Sequence, residues 1–151
     1  MTISERLEQD IKTALLSGNS KDVSTLRGLK SAILYAEVAK GVKDAGLSET
    51  DTQDVLSKEA KKRQESADLY NQGGEAHRAE EELQEKALIE KYLPPKLSDD
   101  QLSKVVNEAI AEVGAKDASS IGPVISLVKQ KTQGAADNAL VAQKVKESLG
   151  L

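Results

Sequence analysis

Apolar residues recur at three- and four-residue steps along nearly the whole chain of 151 residues, and the adjacent Pro94-Pro95 interrupts that rhythm. A period near 3.6 makes amphipathic helices, whereas strand-like alternation is scarce, so the expected fold class is all-α. Proline lacks an N–H and disfavours the helical region for the residue before it, so a helix arriving from the N-terminal side should end by Leu93. The reading is two helical bundles. About four helices occupy residues 1–93 and about three shorter ones residues 96–151.

The helix boundaries are written in local chemistry. Thr2-Ile3-Ser4-Glu5 and Ser98-Asp99-Asp100-Gln101 are capping boxes, in which a hydroxyl accepts from a free amide and the third side chain reaches back. Leu7, Ile11 and Leu15 then form one stripe, and Gly18-Asn19 stops the first helix. A second helix starts near Asp22 and carries Val23, Leu26, Leu29, Ile33 and Val38. Ser48 opens a third, which runs to Gly73-Gly74. The fourth spans roughly residues 75 to 92. Beyond the prolines, Leu102, Val105, Val106, Ala109 and Ile110 mark a fifth helix ending at Gly114. A sixth starts near Ser119 or Ser120, where Pro123 fits only within the first turn. It should end at Gly134, and Asp137 caps the last helix.

Composition excludes much chemistry. There is no Cys, Trp or Phe, and there is one His, His77. Thiolate sites and Cys nucleophiles are therefore impossible, and no His-Glu-x-x-His, phosphate-binding loop or Gly-x-Gly-x-x-Gly fingerprint occurs. His77 reads as an exposed polar residue. No cofactor and no metal are expected. The acids Glu80, Glu81, Glu82 and Glu85 read as a solvated face with local ion pairs. No apolar run reaches the ~20 residues of a membrane span. The N-terminus resembles neither a signal nor a transit peptide, so a cytoplasmic protein is expected.

The formal charge is -4. Through Leu93 there are 14 basic and 18 acidic residues, net -4, and from Pro94 there are 7 and 7, net zero. Three segments stand out. Lys58, Lys61, Lys62 and Glu65 share one broad helical face, with Arg63 turned toward Glu59. Arg27, among Leu26, Leu29 and Ile33, is expected in a structural ion pair rather than presented at a helix junction. Lys129, Lys131, Lys144 and Lys146 surround the turn at Gly134, a small-residue turn of the kind that can approach a nucleic-acid backbone closely.

The residues Leu26-Arg27-x-Leu29 with Ala32, the segment Lys58 to Ser66, Tyr70, and Tyr92-Leu93-Pro94 followed by Leu97 resemble the GatB/YqeY family. Gly122-x-Val124 and Gly134-x-Ala136-Asp137 add to the match, which spans essentially the whole chain, as in the free-standing YqeY-like members. The resemblance implies a four-helix bundle joined to a three-helix bundle. It also implies kinship with the tail of the B subunit of glutamine-dependent aspartyl/glutamyl-tRNA amidotransferase, and with a module of some glutaminyl-tRNA synthetases. In those hosts the module helps to hold tRNA while amide transfer proceeds elsewhere. The family's C-terminal turn usually reads Gly-Arg-Ala-Asp-Gly. Here it is Gly134-Ala135-Ala136-Asp137-Asn138, and Pro123 stands where Lys is common.

The leading expectation is a non-catalytic module that binds tRNA or accompanies amidotransferase or tRNA-synthetase components, with no membrane role. The expected contacts are Lys129, Lys131, Gly134, Lys144 and Lys146, with Lys58, Lys61 and Lys62 as a secondary basic face. One alternative is a protein-interaction adaptor without RNA. The other is a carbon–nitrogen ligase using glutamine as amido donor, for which the chain offers no nucleophile or nucleotide-binding motif.

Overall fold

A computed structural model describes residues 1–132 and 135–151. Among these residues there are seven α-helices and no strand, so the fold is all-α. They are α1 (Ile3–Leu16), α2 (Ser20–Lys40), α3 (Glu49–Gln72), α4 (Ala76–Glu90), α5 (Asp99–Val113), α6 (Ile121–Thr132) and α7 (Asn138–Ser148). A single 3-10 turn, Ala118–Ser120, leads into α6. The chain divides into two compact units, Met1–Leu93 and Pro94–Leu151.

Both capping boxes form. The Glu5 amide donates to Thr2 Oγ1 at 3.2 Å and the Thr2 amide to Glu5 Oε2 at 2.8 Å. At α5 the Gln101 amide donates to Ser98 Oγ at 3.2 Å, and the Ser98 amide to Gln101 Oε1 at 3.0 Å. α2 starts two residues earlier than the sequence suggests. Asn19 is its N-cap, accepting from the Asp22 amide at 3.2 Å, so the residue read as a stop for α1 is also a start. α2 and α5 end on Gly41 and Gly114, each with φ 71°, a left-handed geometry that costs a side chain strain. Pro123 is the third residue of α6, inside the first turn where no backbone donor is lost.

In the first unit α3 and α4 pack against each other most extensively, and α1 and α2 form a second antiparallel pair. Leu7, Leu29, Leu56 and Ile89 are fully buried between them. Each contributes roughly 1.5–3 kcal/mol through burial. The second unit packs α5, α6 and α7 around Leu102, Val106, Ala109, Val124, Val128, Val141 and Val145. These small side chains suit closely spaced helices.

Two positions of the apolar stripes on α1 and α2 are not core. Leu15 is half exposed because Ala14 takes the buried place in the last turn of α1, and Val38 is exposed near the end of α2. An extended α2 runs past the part that its neighbours cover.

Candidate nucleic-acid interface

α3 buries Thr52, Leu56, Ala60 and Ala67 along one side. The period then throws Lys58, Lys61, Lys62 and Glu65 onto the opposite side, and all four are exposed. Arg63 turns the other way, toward α4. Its guanidinium lies 3.4 Å from Glu59, 2.9 Å from Glu85 and 3.9 Å from Glu82. Glu82 is held above the usual carboxylate range, first by burial and then by repulsion from Glu85, while Arg63 pulls it back. Lys86 adds a bond to Gln64 at 2.8 Å and an ion pair with Glu90 at 3.5 Å. Several acids of the α3–α4 interface thus face inward or along it. Lys62 pairs with Glu59 at 3.1 Å, whereas Lys58 and Lys61 make no ion pair among the described residues.

The lysines of the second unit do not form one patch. Lys131 pairs with Glu112 of α5 at 3.0 Å. Lys144 donates to Ser103 Oγ at 3.3 Å and lies 3.7 Å from Asp99, with its stem largely covered. Residues two apart on a helix point to nearly opposite sides. Lys129 and Lys146 are accordingly exposed while their neighbours are tied to α5. Gly134 lies outside the described residues. The turn that follows it is well tethered: the Leu97 amide donates to the Ala135 carbonyl at 3.1 Å, and Asp137 Oδ1 accepts from Ala139 and Leu140 at 2.7 and 3.3 Å.

Arg27 corrects the sequence expectation. It is exposed and makes no hydrogen bond or ion pair among the described residues. It sits at the α1–α2 junction beside an open groove of about 500 Å³ whose walls include Leu15, Gly18 and Val23. The carboxylates of α1 are engaged elsewhere: Glu5 in its capping box, Glu8 with Lys30 at 3.0 Å and Asp10 with Tyr92. A cleft of about 390 Å³ between α2 and α4 is instead acidic, with Asp22, Glu81 and Glu85 against Lys21. His77 is 85% exposed and 3.4 Å from Glu81, a surface pair.

One cluster escaped the sequence reading. Tyr92 is buried, its hydroxyl donates to Asp10, and the Arg6 guanidinium lies 5.0 Å above its ring. Arg6 also donates to the Lys91 carbonyl at 3.3 Å. Tyr92-Leu93-Pro94 had marked the place, but periodicity carries no signal for a partner on α1.

Among the described residues no group of three His, Asp or Glu could hold a metal ion. Fold and surface together define an all-α protein of two helical units with lysine-bearing outer faces. Residues 4–149 match the family described as Yqey-like protein, and the chain belongs to that family. It is also similar to "Altered inheritance of mitochondria protein 41, mitochondrial" of Clavispora lusitaniae (strain ATCC 42720), at 29% identity over 116 residues. That alignment covers 76% of this chain and 66% of the relative, just under two thirds of its length.

Proposed function

We propose that this YqeY-like protein is a non-catalytic helical module that binds tRNA and works beside amidotransferase or tRNA-synthetase components. The observation that carries the reading is the pair Lys58 and Lys61. They are exposed cations on one turn of α3 with no internal ion pair, while the acids behind them are held by Arg63. Lys129 and Lys146 offer further exposed cations on the second unit. Contacts of this kind position a phosphate backbone without reading bases. Such binding is electrostatic and steeply salt-dependent. The net charge of -4 opposes RNA at long range, which keeps the affinity modest.

Filter binding of total tRNA to the full chain tests this. Binding is expected at micromolar protein and about 50 mM salt, with a marked loss by about 200 mM. Lys58→Glu with Lys61→Glu should weaken it and flatten the salt slope, by about one unit per phosphate contact removed. No binding at low salt, or no change on reversing those charges and those of Lys129 and Lys146, overturns the reading.

A further inference from the structure

The outer side of α2 is a seam with no partner among the described residues. Ser20, Ser24, Arg27, Ser31, Leu34 and Val38 follow one another at alternating steps of four and three residues, the spacing by which one helix meets another along its length. All six are exposed. Leu34 is 47%, Tyr35 82% and Val38 57% exposed, which puts three large apolar side chains on the C-terminal half of one face. The N-terminal half is the reverse. It carries Ser20, Ser24 and Gly28, and the groove of about 500 Å³ opens beside it. Arg27 is the one charge in the seam.

The two halves are complementary to each other, and this identifies the occupant. We propose that the seam docks a second copy of this chain, antiparallel, about a two-fold axis near Ser31. An isologous contact uses the same patch twice, so every protrusion must meet a hollow of the same face. An axis at Ser31 sets Tyr35 opposite the second copy's Gly28, and Val38 opposite its Ser24. Leu34 then lies opposite its Arg27. The bulky half of each helix fills the small half and the groove of the other. Each Arg27 lays its methylene stem along the second copy's Leu34 and keeps its guanidinium in water. The two Arg27 groups sit eight residues apart along the axis, about 12 Å, so they do not meet. The seam from Ser20 to Val38 is about 27 Å long, enough for continuous helix-on-helix packing.

Sedimentation of the full chain over a wide concentration range tests the proposal. A monomer–dimer equilibrium is expected. Tyr35→Glu and Gly28→Lys should each raise its dissociation constant at least about tenfold. A Cβ at Gly28 meets nothing within 4 Å, so Gly28→Lys leaves the monomer intact, and its thermal midpoint should not fall. The chain has no cysteine, so Ser31→Cys introduces a single thiol beside the axis. It should form a disulfide-linked dimer under mild oxidation much faster than Glu65→Cys on α3. A chain that stays monomeric at all concentrations, equal cross-linking by the two thiols, or capture of a different protein on the seam in place of a second copy overturns the proposal.

Discussion

The Tyr92 hydroxyl donates to the Asp10 carboxylate, joining the residues after α4 to α1 across 82 positions of sequence. With Arg6 over the ring, this closes the first unit at the point where the chain leaves for Pro94. Tyr92→Phe keeps the ring and removes the bond. The expected loss is about 1–2 kcal/mol, read as a lower urea midpoint with an unchanged slope. Tyr92→Ala also removes the ring and should cost about 3–5 kcal/mol.

The same pair gives a pH signature. Burial, then the bond to Asp10, pushes the Tyr92 phenol well above its ordinary value of 10.0. The folded state therefore favours the protonated phenol. That stability is fully present below the unfolded pKa and is lost as pH rises from 10 toward the folded value. Unfolding midpoints should fall in that alkaline window, and the part of the slope due to Tyr92 should vanish in Tyr92→Phe.

Arg63 is the next point of leverage. Arg63→Met would leave Glu59, Glu82 and Glu85 without their common cation. A loss of about 2–3 kcal/mol is expected at neutral pH. The Glu82 carboxyl is raised in the folded state, so its effect on stability is most favourable below the unfolded value of 4.5 and is lost as pH rises through the folded one. The penalty of Arg63→Met should consequently shrink at about pH 4, as measured by chemical unfolding at both pH values.

The lysines of the second unit should separate by role. Lys144→Ala removes a largely covered side chain bonded to Ser103 and near Asp99, and should cost about 0.5–1 kcal/mol of stability with little effect on tRNA retention. Lys146→Glu should do the reverse. Parallel thermal melts and filter binding on the two variants decide it.

Caps form a fifth test. Ser98→Ala should cost about 1 kcal/mol. Gly114→Ala, at φ 71°, should cost about 1–2 kcal/mol, since a Cβ is strained there even with free space around it. Both appear as shifts in the thermal midpoint.

What was legible in the sequence was local. Thr2 with Glu5, Ser98 with Gln101 and Asp137 with Leu140 each lie within one turn, so residue type and spacing nearly dictate the contact. The all-α class and the buried stripe of Leu26, Leu29 and Ile33 followed from period alone. Side-chain partners across helices were not legible. Nothing in the spacing of α3 says that Arg63 meets Glu85, or that Lys131 meets Glu112 on α5. Arg27 shows the opposite failure: an arginine among leucines suggests a buried pair, but the helix turns it outward. Leu34 and Val38 are apolar without being covered, because periodicity marks a face and not the neighbour that covers it.

The three tyrosines, with no tryptophan beside them, make the molecule its own set of optical labels. Tyr35 stands on the open seam of α2, Tyr70 lies under Arg78 near the end of α3, and Tyr92 is sealed against α1. Quenching, ultraviolet difference spectra and alkaline titration each single out a different one. Events on the α2 surface, at the tip of α3 and in the core of the first unit thus carry separate spectroscopic signatures with no added dye.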